Sequence, residues 1–258
     1  MFPERCSPCR PHGAPFGASR GDPGHACGPA VNRAVAGAGV TVAFLYVGRV
    51  SKLAQIMVAS VRAAMPGARI VQMSDYATRQ VTGVDEIIRK QWDQRLLMPF
   101  RLLHVKEFPP GDTIFLDADV VVQKDLSPLF QDDFDVALTF RDHTDPSLRG
   151  TPEAYELMPF NTGVMLSRPS GRAFWDEAHR LCLVMPDAHK AWFGDQLAIK
   201  EVAASTTLRV KQYPCALYNY SPRLRDEDIS EKFVIHYKGN DRKAWMLHQW
   251  ARLLPKRK

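Results

Sequence analysis

Residues 113–126 read Thr-Ile-Phe-Leu-Asp-Ala-Asp-Val-Val-Val-Gln-Lys-Asp-Leu, an apolar β-run that carries two carboxylates, Asp117 and Asp119, two positions apart. Side chains at i and i+2 of a strand share a face, so the run predicts both carboxylates converging on one point. Ionised carboxylates among Ile114, Phe115, Leu116 and Val120 to Val122 are costly to desolvate unless they are paired or bind a metal. Without such a partner, neighbouring like charges would raise one of the two pKa values. Oxygen ligands favour a hard ion, Mg²⁺ or Mn²⁺, and such sites keep positions open for water and substrate phosphates. The small Ala118 leaves the opposite side uncrowded.

The remaining pattern predicts where this pair sits. Val40 to Val47 reads as a buried strand, Ser51 to Met65 as a helix capped by Ser51, and Ala68 to Met73 as a second strand entered through Pro66-Gly67. Repeated β-α-β steps imply a mostly parallel sheet covered by helices, with strand ends gathered at one edge by right-handed crossover. Arg95 to Phe108 reads as a helix kinked or started at Pro99, and Pro109-Pro110-Gly111 stops it. Thr113 to Leu116 then delivers the aspartates to the carboxyl edge, where open α/β sheets bind ligands. Further strands are expected at Phe134 to Phe140, Thr162 to Leu166 and Phe233 to Tyr237, and helices at Ala173 to Val184 and Asp195 to Val202.

Residues 1–38, rich in Pro, Gly, Ala and Arg without periodicity, are expected to be a disordered extension, leaving 39–258 as a single domain. Within that extension Cys6, Cys9, His25 and Cys27 have nominal zinc ligands but no hydrophobic pattern to build a knuckle on. Cys182 and Cys215 sit in apolar surroundings, and five cysteines do not make a disulfide framework. The formal charge of +6 comes entirely from residues 242–258, where Arg242, Lys243, Arg252, Lys256, Arg257 and Lys258 face no acid. Interleaved with Trp245, Met246, Leu247, Trp250, Leu253 and Leu254, this segment reads either as a terminal helix docked on the domain or as a peripheral contact with an anionic membrane. No apolar stretch is long enough to span a bilayer and no signal peptide is evident, so a cytoplasmic protein is expected. Nucleic-acid binding is not expected, because the basic residues cluster at one end.

Four separated segments belong together: Phe115-Leu-Asp117-Ala-Asp119-Val-Val, Phe160-Asn161-Thr-Gly163-Val-Met-Leu, Gly194-Asp195-Gln196-Leu, and Ile235-His236-Tyr-Lys-Gly239 followed by Lys243-Ala-Trp245. In order and spacing they resemble the retaining glycosyltransferases of family 8, nucleotide-sugar enzymes of the GT-A fold. The resemblance covers residues 40 to about 246. It implies that Asp117, Asp119 and His236 hold Mn²⁺ or Mg²⁺ on a donor diphosphate; neutral imidazole is an acceptable Mn²⁺ ligand. It further implies that Gly239 admits backbone to the phosphates, that Arg242 or Lys243 meets the β-phosphate, and that Arg101 lies close to the aspartates. Asn161 and Gly163 would face the donor sugar, Asp195 would bind its hydroxyls, and Gln196 would lie near the β face of the anomeric carbon. Tyr46 would stack on the base, with Gly48 admitting it.

The chain departs from the family pattern in one extra residue before Lys243, in Ala244 where proline is usual, and in lacking the acid that often follows the first strand. The reaction implied is transfer of a hexose from a UDP-sugar to a saccharide or glycolipid hydroxyl with retention. Two rivals are a sugar-1-phosphate nucleotidyltransferase, for which Val47-Gly48-Arg49-Val50 is a sparse triphosphate loop, and a non-catalytic sugar-nucleotide or nucleic-acid binding module. Acceptor groups are expected in 141–159, from Arg141, Asp142, His143, Asp145 and Arg149.

Overall fold

Strand β1 (Thr41–Leu45), helix α1 (Lys52–Ala64) and β2 (Arg69–Ser74) form the first β-α-β step. Ser51 caps α1, its hydroxyl accepting from the Ala54 amide at 3.3 Å. The chain continues through β3 (Glu86–Arg89), α2 (Leu97–Lys106), β4 (Thr113–Leu116), β5 (Val120–Val122), β6 (Val136–Phe140), α3 (Pro152–Leu157) and β7 (Phe160–Ser167). It ends with α4 (Arg172–Leu183), α5 (Asp187–Ala191), α6 (Gly194–Ser205), β8 (Val210–Pro214), α7 (Cys215–Tyr218), β9 (Val234–His236) and α8 (Asn240–Gln249). The computed structural model describes residues 39–93, 95–142 and 152–254. The Cys6, Cys9, His25 and Cys27 group lies outside the described residues, as do His143, Asp145, Arg149 and Lys256 to Lys258.

Seven strands form one sheet in the order β3-β2-β1-β4-β7-β6-β8. Only β7 runs against its neighbours; every other pair is parallel. Both faces are covered, as a parallel sheet requires. Val42, Phe44, Ile114 and Leu116 point to the face held by α1, β5, β9 and α8, while Ala43 and Phe115 point to the face held by α2, α4 and α6. The alternation within β1 and β4 is the strand period of two at work. Cys182 and Cys215 are buried free thiols.

One expectation changes at the aspartate pair. The apolar run is not one strand: β4 stops at Leu116, residues 117–119 turn, and β5 leaves to pair antiparallel with β9. The carboxylates therefore converge through a turn and not through strand alternation. The break leaves no backbone donor stranded, because the Asp117 amide reaches the Gly163 carbonyl and the Tyr237 amide reaches that of Asp119, both at 3.0 Å. β3 and β8, which the pattern did not announce, are sheet-edge strands with mixed polar and apolar residues.

The C-terminal segment is a docked helix. Met246 is fully buried and Trp245, Leu247, Trp250, Leu253 and Leu254 pack on the same core cluster. The Trp250 indole donates to the Tyr237 hydroxyl at 2.8 Å, and that hydroxyl donates to Gln249 at 2.8 Å. These apolar side chains thus pack, fully or in part, on the domain. No described helix is long and apolar enough to cross a membrane.

His104 on α2 ties that helix to β2. Its Nε2–H donates to the Ser74 carbonyl at 3.1 Å, and its ring packs edge-on against Phe100. Burial, aided by the charge of Lys90, pulls its pKa down to about 4. An unfolded chain takes up this proton near pH 6.5 and the native one only near 4, so His104 removes stability as pH falls through that window. The full effect is on the order of 3 kcal/mol. His104→Leu should flatten the acid limb of stability between pH 6.5 and 4, since the Ser74 carbonyl keeps its bond from the Lys90 amide. Urea midpoints measured at both ends of that range check this, and an unchanged slope in the variant refutes it.

Candidate active site

The β5–β9 register pairs Val120 with His236, which seats the histidine beside the residue that follows Asp119. His236 Nε2 lies 3.4 Å from Asp117 Oδ2 and 3.2 Å from Asp119 Oδ1. The three side chains offer ligand atoms that all lie within 4.8 Å of one another. The other ring nitrogen, Nδ1, is 2.8 Å from Asn219 Oδ1. Asn219 Nδ2 donates to Thr139 Oγ1 at 2.7 Å and to Asn161 Oδ1 at 2.8 Å, which orients its amide with the oxygen toward the imidazole. Nδ1 therefore carries a hydrogen, and Nε2 is the nitrogen that faces the carboxylates. Two carboxylates and an imidazole whose Nδ1 is held by a neighbour suit a divalent cation, which would take Nε2 as its ligand.

Gly163 makes this arrangement possible. A Cβ there would stand 2.3 Å from His236 Nδ1 and 2.9 Å from Asn161 Oδ1. Its lack of a side chain thus serves the histidine directly. A register shift between Leu138 and Thr139 frees residues 162–164 from β6 and re-aims them. The Thr162 hydroxyl consequently meets Arg101 Nη1 at 3.0 Å, and its carbonyl accepts from Arg101 Nη2.

Arg101 bridges the aspartate turn and α6, with Nη2 2.8 Å from Asp117 Oδ1 and Nη1 3.3 Å from Asp195 Oδ2. Asp195 is 1% exposed; burial pushes its pKa up, opposed by Arg101. Burial also acts against the charge on Asp119, but His236 and Lys243 outweigh it and hold that carboxyl well below the usual range. Lys243 Nζ is 3.2 Å from Asp119 Oδ2. The chain enters α6 through Phe193 at φ 51°, a left-handed conformation that is uncommon outside glycine. At Gly194 a Cβ would come within 2.4 Å of the His189 carbonyl.

These groups open into a cavity of about 400 Å³. Tyr46, Arg101, Asn161, Asp195 and Gln196 line it together with Asp117, Asp119, His236, Gly239 and Lys243. The Tyr46 ring is tethered by its hydroxyl to the Arg49 carbonyl at 2.6 Å. Gly48, at φ +104°, instead borders a neighbouring hollow with Asp75 and Thr78. Ala118 packs on the core. Arg242 sends Nε to the Pro222 carbonyl at 2.6 Å and Nη1 to that of Lys238 at 3.2 Å, so of the two adjacent cations it is Lys243 that lines the cavity.

Three further residues join the site: Asn219, which no motif announced, Arg141, expected only as an acceptor group, and Lys238, which the histidine motif contains without an assigned role. Asn219 orients His236 from the residue that ends the four-residue helix α7. Arg141, at the end of β6, donates from Nη2 to Gln196 Oε1 at 2.7 Å and from Nη1 to the Phe160 carbonyl at 2.8 Å. Lys238 lines the cavity beside His236, and burial, followed by the charge of Arg141, draws its pKa down to about 8. Trp192 stands at the rim, 69% exposed.

Residues 95–250 match the profile of glycosyl transferase family 8. No curated protein sequence matches the chain significantly. Among solved structures, the glycosyltransferase GlyE of Streptococcus pneumoniae TIGR4 superposes with a TM-score of 0.57 at 15% identity, over 84% of this chain and 62% of that one. A glycosyltransferase involved in glycosylation of the major capsid of PBCV-1 gives 0.57 at 14% identity, over 82% and 98%. The galactosyltransferase LgtC, solved with donor and acceptor sugar analogues, gives 0.50 at 17% identity, over 84% and 98%. The architecture shared with these proteins is the GT-A fold, with Asp117 and Asp119 at the end of a central strand.

The contact between Gly163 and His236 can be tested by stability alone. Gly163→Ala should destabilise by about 1–3 kcal/mol through overpacking. Combined with His236→Ala, most of that cost should vanish, giving a coupling of on the order of 1 kcal/mol or more in a double-mutant cycle. Additive losses would show that the ring does not seat on this glycine.

Proposed function

The chain belongs to glycosyl transferase family 8, and from that membership we propose a metal-dependent, retaining transferase that moves a hexose from a UDP-sugar to a saccharide or glycolipid hydroxyl. The observation that carries the reading is the Asp117, Asp119 and His236 cluster on the floor of a cavity that also holds Asp195 and Gln196. Membership sets aside the nucleotidyltransferase and the silent binding module.

Asp117, Asp119 and His236 would hold the divalent ion, and the imidazole in the set favours Mn²⁺ over Mg²⁺, which prefers oxygen ligands. Bound there, the ion would supply Lewis-acid stabilisation to a leaving diphosphate. Lys243, beside Asp119, adds an ammonium for the same charge. Gly239, at φ +79°, lets backbone approach the phosphates, and Tyr46 offers a flat ring to the base. Arg101 keeps Asp117 and Asp195 in register and offsets two of the acids that surround the sugar. Asp195 and the Asn161 amide would contact donor hydroxyls.

Gln196 is the group proposed beside the anomeric carbon. Its amide oxygen has two lone pairs, of which Arg141 engages one, so the side chain is aimed and not free to rotate. The acid that precedes it in the chain, Asp195, is buried and paired with Arg101, a poor arrangement for a covalent nucleophile. The acceptor oxygen would therefore attack from the face that the diphosphate leaves, forming the new C–O bond as the bond to the β-phosphate breaks and passing its proton to the departing phosphate oxygen. Retention follows from that same-face geometry.

Asp119→Asn should abolish Mn²⁺-dependent binding of UDP in calorimetry and lower UDP-sugar turnover by at least about a hundredfold. Its circular dichroism should match that of the parent. UDP binding that is indifferent to a chelator, or full turnover in the variant, would overturn the metal assignment.

A further inference from the structure

Three carboxylates line the cavity, and each has a cationic neighbour: Arg101 serves Asp117 and Asp195, and Lys243 serves Asp119. Two lining cations are left over. Arg141 and Lys238 have no carboxylate partner among the described residues, although both line the same cavity. Arg141 is held in place by neutral acceptors, the carbonyls of Met158 and Phe160 and the amide oxygen of Gln196, and its guanidinium has further N–H donors to offer. A half-buried cation that neutral groups position and that no described acid neutralises is suited to an anion from outside.

The donor does not account for this surplus. Among the described residues the cavity walls contribute four positive and three negative side chains. A divalent ion adds two positive charges and a sugar-nucleotide diphosphate brings two negative ones, which leaves the filled site positive. The place of the surplus is set by the sheet. β1, whose end carries Tyr46, flanks β4 on one side, while β6, whose end carries Arg141, lies two strands away on the other. At about 4.8 Å per strand, Arg141 is roughly 10 Å from the aspartate turn, on the side away from the base. In the transferase reading, that is the side from which the acceptor would enter.

We propose that the acceptor is an acidic saccharide, bearing a carboxylate or phosphate near the hydroxyl that is glycosylated, and that Arg141 and Lys238 bind that group. The inference rests on the UDP-sugar transferase reading and names the substrate class of the same site. It also gives Arg141 a double position, touching the acceptor's anion with one edge and Gln196 with the other, so that an acceptor of the right charge sits against the residue beside the reacting carbon.

The test uses the full chain with UDP and Mn²⁺ already bound, titrated separately with methyl glucuronide, methyl glucoside 6-phosphate and methyl glucoside. At least one acidic probe should bind about tenfold or more tightly than the neutral glucoside, and which one does so tells carboxylate from phosphate. Lys238→Met should shrink that preference to within about threefold. Equal affinity for charged and neutral probes, or no binding of either acidic probe, overturns the proposal. So does a parallel loss of UDP affinity in Lys238→Met, which would assign the lysine to the diphosphate. Failure of the underlying transferase reading is distinct, because it shows as absent UDP binding before any saccharide is added.

Discussion

The seat of His236 on Gly163 is the contact on which the rest of the site depends. The ring occupies the space where any other residue would place a Cβ, and Asn219 holds its far nitrogen. Fixed at both ends, the imidazole directs Nε2 between two carboxylates from a turn 117 positions earlier in the chain, counted from Asp119 to His236. Backbone pairing of β5 with β9 delivers the histidine to within reach, and side-chain packing sets its angle. Neither alone assembles the cluster.

Around this cluster the buried charges form a chain in which one guanidinium does most of the balancing. Arg101 touches the aspartate turn, the freed segment of β7 and the first turn of α6, so three elements from both halves of the fold share one cation. Its planar, multi-donor head suits that task better than a lysine would. Burial raises the pKa of Asp195, and Arg101, with the Gln196 amide and the Thr162 hydroxyl, opposes that desolvation. Arg141 and Lys238 stand outside this set, with no carboxylate partner among the described residues.

Much of the framework was legible because periodicity and turn chemistry act locally. The helix over Lys52–Ala64, its Ser51 cap and the buried strands β1, β2 and β4 follow from short local patterns, the longest of them the 13-residue helix with its cap. The break between β4 and β5 was not legible. Apolar residues flank Asp117 and Asp119 on both sides, and nothing in the run says that Val120–Val122 will take β9 as its partner in place of a sheet neighbour. Edge strands β3 and β8 escaped for a related reason: with part of their surface in water they carry no continuous apolar signal.

The site divides in the same way. Residue types that chemistry demands, two acids, a histidine, an aspartate-glutamine pair and a glycine, stand in recognisable local motifs, and the sequence by itself therefore determined the family, the α/β class and the set of groups available for a metal and a diphosphate. Tertiary structure alone decided which neighbours act on them. Asn219, Arg141 and Lys238 have ordinary local surroundings, and their importance comes from strand order and from hydrogen bonds spanning 17 positions for Asn219 to His236 and 55 for Arg141 to Gln196. The choice of Lys243 over Arg242 at the cavity wall is of the same kind, set by which way one turn of α8 faces. Such relations are properties of packing in three dimensions, and no local pattern encodes them.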